Sequence, residues 1–166
     1  MGCPQFMKTI APTEKLTRDQ VLALDIATHT GFFCLNERGT WNFDESMRRN
    51  NNKQHKAFRD TLMEFIQRNG IKQIVAEDVS VNNHFIDTRK LSEFRGILFE
   101  VCDTLDLPEP HFINPKSLKK FATGNGNATK ADMIKFCKLR WQIEPGDDNE
   151  ADAIHIFFCY IKRFNL

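Results

Sequence analysis

The sequence predicts an α/β domain in which helices flank a mixed β-sheet, and three observations support this fold class. Three short predicted strands come in succession, and the later strands alternate with helices. The first arrangement is typical of an antiparallel meander, and the second is typical of parallel neighbours. A length of 166 residues suits one domain. The composition, with 41% hydrophobic and 11% aromatic residues, supplies enough apolar material for a core.

Each predicted element has a local signal in the sequence. The strands are short apolar runs bounded by turn residues, and they cover residues 21–25, 32–36, 40–43, 71–79 and 111–113. The helices carry apolar side chains three or four positions apart, and they cover residues 54–69, 88–107, 129–141 and 147–162. The polar stretch 45–53 and the region around 114–128 are predicted loops. Residues 1–18 lack the apolar core of a secretory signal, and we interpret them as an N-terminal arm before a domain of residues 19–166.

Charge and cysteine content exclude several classes of protein. The chain has 23 Lys and Arg against 22 Asp and Glu, so a nucleic-acid partner would have to bind a local basic patch. No apolar run approaches the roughly 20 residues that cross a membrane. The five cysteines are odd in number and include no Cys-x-x-Cys pair. This pattern disfavours a disulfide framework or a zinc site and favours a reducing, cytoplasmic location.

Three acidic residues stand where a shared cleft would collect their side chains. Asp25 and Glu77 each follow the apolar residues of a predicted strand, and Asp152 lies in the first turns of the last helix. A carboxylate among apolar residues is costly to bury unless a cation pairs with it. Converging carboxylates favour Mg²⁺ or Mn²⁺, and two such ions about 3.5–4 Å apart can activate a water for phosphodiester hydrolysis. Taken singly, however, each acid is more often a turn former or a helix cap.

Further candidates surround this predicted metal site. Asp148 and Asn149 share a helix face with Asp152, so either would supply a fourth ligand, and spacing does not rank the two. Lys119 and Lys130 flank a loop that contains Gly-Asn-Gly, where their ammonium groups would neutralise a phosphate. The alternative is that this loop is simply flexible. The densest basic cluster predicts either phosphate contacts or a solvated helix face, and it consists of Arg48, Arg49, Lys53, Lys56 and Arg59.

Four motifs in this order resemble the RuvC family of Holliday-junction resolvases, which have the ribonuclease H-like fold. The first, over 25–31, is an Asp followed by a Thr-Gly pair, and the second is Ile-Val-Ala-Glu over 74–77. The third extends over 119–130 and places a lysine on each side of the glycine loop. The fourth is Asp-Asn-Glu-Ala-Asp-Ala over 148–153. The resemblance covers about residues 21–160, nearly the whole chain.

This resemblance implies a five-stranded mixed sheet and a Mg²⁺-dependent endonuclease that resolves four-way DNA junctions. It implies that two Mg²⁺ ions, for which Mn²⁺ would substitute, are held by Asp25, Glu77 and Asp152, with Asp148 or Asn149 as the fourth site residue. Lys130 and Lys119 would stabilise the phosphate transition state. The candidate DNA-binding residues are Arg48, Arg49, Lys53, Lys56, Arg59, Phe85, Lys116, Lys120, Asn125 and Asn127.

The resemblance also implies a homodimer that cuts the junction symmetrically. Helix 88–107 is the candidate interface, because its apolar stripe suits core packing while a second face would remain for a partner. That second face consists of Phe99, Cys102 and Leu105.

The chain departs from the family pattern in ways that leave its specificity open. Ile26 and Ala27 stand where the first motif usually has Pro-Gly, and Asn149 stands where an acid or His is usual. No aromatic residue follows Glu77 closely, and Phe85 is the nearest substitute.

Three alternatives therefore remain. A nuclease of RNA–DNA hybrids would need an acid on the first helix, for which Glu64 is the candidate without matching spacing. A non-catalytic junction-binding scaffold would have no use for the acids. An actin-like ATPase would need a second domain, for which 166 residues leave no room.

Overall fold

A five-stranded sheet with helices on both faces forms the described part of the chain. The computed structural model describes residues 15–43, 51–79 and 85–166, with the backbone alone for 85–87. The strands are β1 (Val21–Asp25), β2 (His29–Phe33), β3 (Arg38–Asn42), β4 (Gln73–Glu77) and β5 (His111–Ile113). The helices are α1 (Asn51–Asn69), α2 (Phe85–Thr104), α3 (Pro115–Thr123), α4 (Lys130–Trp141) and α5 (Asp148–Phe164). The predicted α/β class with a mixed sheet is confirmed.

The strand order places two acidic residues side by side. The order is β3-β2-β1-β4-β5, with β1 antiparallel to β2 and parallel to β4. Leu24 of β1 pairs with Ala76 of β4, so the next residue of each strand, Asp25 and Glu77, stands at the same edge of the sheet. Parallel strands end at a common edge, and the connection between β1 and β4 therefore fixes where both carboxylates lie.

Two separate hydrophobic cores cover the two faces of the sheet. Side chains of a strand point alternately to opposite faces, so Val21 and Ala23 lie in the core with α3, α4 and α5. Leu22 and Leu24 lie in the other core, with α1 and α2. All four are fully buried, and this explains why β1 has a continuous apolar run and no alternation of polar residues.

Helix α5 contacts the sheet closely at Gly31. This glycine pairs with Asp25 across β1 and β2, and a Cβ placed on it would lie 1.9 Å from the carbonyl oxygen of Asn149. Only glycine lets the first turn of α5 approach the strand backbone at this distance. Asp147 caps the helix by accepting from the backbone N–H of Glu150, and Thr40 of β3 donates to the same carboxylate at 2.8 Å. The acidic start of α5 is thereby held beside the end of β1.

One helix and several boundaries differ from the predictions. Residues 115–123 form α3 where a loop was expected. The signals for it were present: Asn114 accepts from two backbone N–H groups as N-cap, Pro115 occupies the first turn, and Gly124 has φ 83° at the C-cap. Helix α1 begins at Asn51, inside the predicted loop 45–53, and α2 covers 85–104 where 88–107 was predicted. These shifts are the usual uncertainty of helix ends.

Replacing Gly31 with alanine tests the close contact with α5. We expect Gly31→Ala to lower the free energy of unfolding by about 1–3 kcal/mol, because the added methyl group would push the Asn149 backbone away from the sheet. Urea denaturation measures this change. Gly96→Ala is the matched control, since nothing lies within 4 Å of a Cβ at this position in α2 and alanine favours a helix. Equal stability of both variants would contradict the proposed contact.

Candidate metal and phosphate site

A cavity of about 510 Å³ opens where β1, β4 and the start of α5 meet. The sheet supplies Asp25 and Glu77 to its wall, and α5 supplies Asp148, Asn149 and Asp152. Lys130, the first residue of α4, lies at the same wall. Residues distant in sequence thus converge as the motifs predicted.

The acidic side chains repel one another in this cavity. Burial, and then the negative charges of Asp152, Glu77 and Asp148, raise the pKa of Asp25 well above its usual value. Burial and the charge of Asp152 raise the pKa of Glu77 to about 7. Burial and the charge of Asp148 raise the pKa of Asp152 to about 6. A cation in the cavity would relieve the repulsion that these shifts express.

Two lysines compensate part of the negative charge. Lys130 Nζ lies 2.6 Å from a carboxylate oxygen of Asp148, and this hydrogen bond lowers the pKa of Asp148 and raises that of Lys130. Lys119 of α3 is half-buried, and its positive charge acts to lower the pKa of both Glu77 and Asp152. Both predicted lysines are therefore electrostatically part of the site.

The donor set suits a hard divalent cation. Five carboxylates and Asn149 line the cavity, and oxygen ligands of this kind favour Mg²⁺ or Mn²⁺. The carboxylates are those of Asp25, Glu77, Asp78, Asp148 and Asp152. In the described residues, no three His, Cys, Asp or Glu side chains stand in a ready-made metal-binding group.

The basic cluster on α1 is largely neutralised by neighbouring acids. Lys56 forms an ion pair with Asp60, and Arg59 Nε donates to Glu100 of α2 at 3.0 Å. Lys53 is exposed on the same helix. Arg48 and Arg49 lie outside the described residues, as does the side chain of Phe85. The described members of this cluster therefore fit the solvated helix face better than a phosphate site.

The loop after α3 is ordered by its own hydrogen bonds. Asn125 Oδ1 accepts from the backbone N–H of Asn127 at 2.9 Å, and Thr123 Oγ donates to the carbonyl of Asn125 at 3.1 Å. The side chain of Asn125 thus shapes the turn. Lys116 and Lys120 are exposed on the adjoining α3. Specific hydrogen bonds therefore define the shape of this loop.

Some residues of the cavity were missed by sequence reasoning, among them Arg95 of α2, Asp78 after β4 and Phe112 of β5. Arg95 and Lys130 reach the cavity from opposite faces of the sheet, because α2 and α4 pack in different cores. Asp78 directly follows Glu77, so its position in the sequence could have indicated that it lies near the site. Arg95 and Phe112 have no local signal, because only the fold brings them to the site.

The second face predicted for helix 88–107 needs a correction. Cys102 is only 2% exposed and lies in the core beneath α2, so it faces the protein's own sheet and α1. Leu105 is half-buried against the same core. Phe99 is 37% exposed and alone of the three resembles a surface residue. The prediction was wrong for Cys102. This residue follows the buried Leu98 by four positions, so both side chains lie on the same side of the helix.

Comparison with known proteins relates this chain to nucleases. No protein-family model matches the chain. The crossover junction endodeoxyribonuclease RuvC of Anaeromyxobacter sp. (strain Fw109-5) is 30% identical over 104 residues, which are 63% of this chain and 50% of the relative. RuvC of Rickettsia akari (strain Hartford) is 32% identical over 93 residues, 52% of this chain and 57% of the relative. The chain spans about half the length of the curated relatives it matches.

The fold agrees with these sequence matches. The structure of Thermus thermophilus RuvC superposes with a TM-score of 0.70 at 15% identity, covering 87% of this chain and 96% of that one. By sequence and by fold, this chain is similar to RuvC resolvases. The structure of T. thermophilus RuvC in complex with a Holliday junction substrate matches with a TM-score of 0.69 at 15% identity, over 87% of this chain and 95% of that one. The predicted ribonuclease H-like fold is confirmed.

The structure also bears on the membrane prediction. None of the helices in the described parts of the chain combines the length and apolar character of a membrane span.

The raised pKa of Glu77 predicts how stability depends on pH in the absence of divalent cations. The folded state holds this proton up to about pH 7, whereas the unfolded state releases it near pH 4.5. The folded protein therefore binds more protons, and its stability falls as pH rises through this window, by up to about 3 kcal/mol from Glu77 alone. We expect Glu77→Gln to flatten the fall between pH 5 and 8 when unfolding is followed by urea titration with EDTA.

Other groups also contribute to the pH dependence of stability, so the difference between variants carries the test. Glu109→Gln removes an exposed carboxylate outside the cavity and should keep the wild-type pH profile. If Glu77→Gln and Glu109→Gln gave the same profile, the repulsion assigned to the cavity would be absent.

Proposed function

We propose that this protein is a divalent-metal-dependent endonuclease that cleaves four-way DNA junctions. The observation that supports this most is the convergence of carboxylates from β1, β4 and α5 with Lys130 in one cavity of a RuvC-like fold, with the charge of Lys119 acting on Glu77. Its curated relatives are crossover junction endodeoxyribonucleases, and a matched structure contains a Holliday junction substrate. Hydrolysis of a phosphodiester needs negative ligands for metal and positive groups for the phosphate, and this cavity has both.

The residues of the cavity divide into two roles. Asp25, Glu77 and Asp152 would hold two Mg²⁺ ions, or Mn²⁺ ions in their place. When bound, such ions supply an activated water and neutralise charge on the leaving oxygen. Lys130 and Lys119 would stabilise the charge that develops on the phosphate, since both ammonium groups already act on the carboxylates of the site.

Asp148 is the better candidate for the fourth metal ligand. Its charge raises the pKa of both Asp25 and Asp152, which places its carboxylate within their electrostatic reach. Asn149 carries no charge, and its backbone lies against Gly31. We infer that Asp148 takes the duty that an acid or His one position later has in the family, while Asn149 lines the cavity with its amide.

The nuclease of RNA–DNA hybrids is the weaker candidate. That activity would need an acid from the first helix in the cavity, and Glu64 was its candidate. The side chain of Glu64 is 74% exposed on α1 and forms a 3.4 Å ion pair with Arg68. It does not line the cavity.

Symmetric cutting of a junction would require two copies of the site, and we therefore propose a homodimer. We also propose that it acts in the cytoplasm.

A cleavage assay on a synthetic four-way junction tests the proposed activity. We expect paired, ligatable nicks with Mg²⁺ or Mn²⁺ that disappear with EDTA, and we expect Asp25→Asn to reduce the rate at least about 100-fold because a metal ligand is lost. A linear duplex and an RNA–DNA hybrid are the controls. Cleavage of the hybrid in preference to the junction would assign the other activity, and tight junction binding without cutting under both metals would leave a scaffold.

The fourth ligand can be identified with two neighbouring substitutions. We expect Asp148→Asn to lower the rate of junction cleavage about 100-fold and to raise the Mg²⁺ concentration needed for half-maximal rate, since it removes one ligand charge. Asn149→Ala is the matched control on the same helix turn and should change the rate by less than about five-fold. The opposite ranking would return the ligand role to Asn149.

A further inference from the structure

Arg95 reaches the cavity from the face of the sheet opposite to that of Lys130. Helix α2 directs its side chain over β5, where the guanidinium carbon lies 3.7 Å from the centre of the Phe112 ring. One terminal nitrogen, Nη1, donates to the carboxylate of Asp78. Among the described residues, Asp78 is the only hydrogen-bond acceptor of this side chain. The side chain is 31% exposed, so it is held in place without being shielded from the cavity.

We propose that Arg95 binds a phosphate of the substrate strand opposite the phosphate contact of Lys130. This inference rests on the proposed function, because it assigns a further binding residue to the same cavity. Arg95 would bind a phosphate of the DNA backbone. The ion pair with Asp78 would keep the guanidinium in position before the phosphate binds.

The stacking contact makes Arg95 suitable for this task. A guanidinium held over the face of an aromatic ring keeps N–H groups available at its edge, where a phosphate can accept two of them at once. The contact with Phe112 restricts the side chain of Arg95 beforehand, so less side-chain entropy is lost on binding. A lysine at this position would offer a charge but no fixed pair of donors.

The ion pair with Asp78 is weak enough for a phosphate to replace Asp78 as the partner of Arg95. The Asp78 side chain is 46% exposed, and pairs this exposed contribute little to stability because water screens them. Asp78 also accepts from the backbone N–H of Val79 at 2.9 Å. The end of β4 therefore keeps its local turn when Arg95 turns to another anion.

The charge of the cavity gives a reason for a cation on this wall. Asp25, Glu77 and Asp152 repel one another, and an entering phosphate adds further negative charge. Lys130 is engaged with Asp148 at 2.6 Å on the other wall. A permanently charged arginine paired only with a half-exposed carboxylate is the group best able to receive the phosphate there.

The test compares Arg95→Gln with Asp78→Asn in DNA binding, measured by fluorescence anisotropy on a labelled four-way junction in EDTA. We expect Arg95→Gln to weaken binding about ten-fold near 0.1 M salt and to reduce the slope of log K against log salt by about 0.9, the loss of one phosphate contact. We expect Asp78→Asn to strengthen binding up to about five-fold, since it releases the guanidinium. Urea denaturation of both variants checks that they fold.

A merely structural ion pair predicts a different pattern. Both substitutions break the pair, so both would then weaken binding alike and leave the salt slope unchanged, and this result overturns the proposal. The double variant separates a released Arg95 from general charge repulsion: the gain from Asp78→Asn should disappear when Gln replaces Arg95. A gain that persists in the double variant also overturns it.

The outcome is separable from that of the proposed function. Junction cleavage by the wild-type protein is measured first, and the salt slope is compared on whichever DNA the wild type binds. Failure to select junctions refutes the junction activity while the slope still decides the role of Arg95. Failure to bind any nucleic acid overturns both.

Discussion

The parallel pairing of β1 with β4 is the contact on which the rest of the site depends. It places Asp25 and Glu77 at neighbouring strand ends, and no other arrangement of these two strands would do so. Helix α5 then adds Asp148 and Asp152 because Gly31 allows its first turn to touch the sheet. Four carboxylates from three elements meet for reasons of backbone geometry. The apolar cores on both faces hold that geometry against the repulsion it creates.

This repulsion is a cost to the folded protein and the source of its chemistry. Burial and neighbouring acids raise the pKa of Asp25, Glu77 and Asp152, so each carboxylate is ionised only at the expense of stability. A hydrophobic residue at any of these positions would remove this loss of stability. Sites that trade stability for activity in this manner are common in enzymes. The charges of Lys119 and Lys130 reduce this destabilisation without abolishing it.

The sequence predicts those features whose signals are local. The strands, the acids at their ends and the helix face of Asp148, Asn149 and Asp152 follow from short-range spacing, and the structure places them as expected. Helix α3 was missed although Asn114 and Gly124 marked its ends, because in nine residues it buries only two apolar side chains, Leu118 and Ala122. Arg95 and Phe112 escaped prediction for another reason: their contact joins α2 to β5 and exists only in the assembled fold. The face assigned to Cys102 failed because both sides of α2 carry apolar residues.

The two cores lie on opposite faces of one sheet and share no side chains. Helix α5, which carries Asp148 and Asp152, belongs to one core, and helix α2, which carries Arg95, belongs to the other. A substitution that repositions α2 can therefore leave the packing of α5 intact. In this way one wall of the cavity can change its shape and charge while the carboxylates that α5 supplies keep their positions.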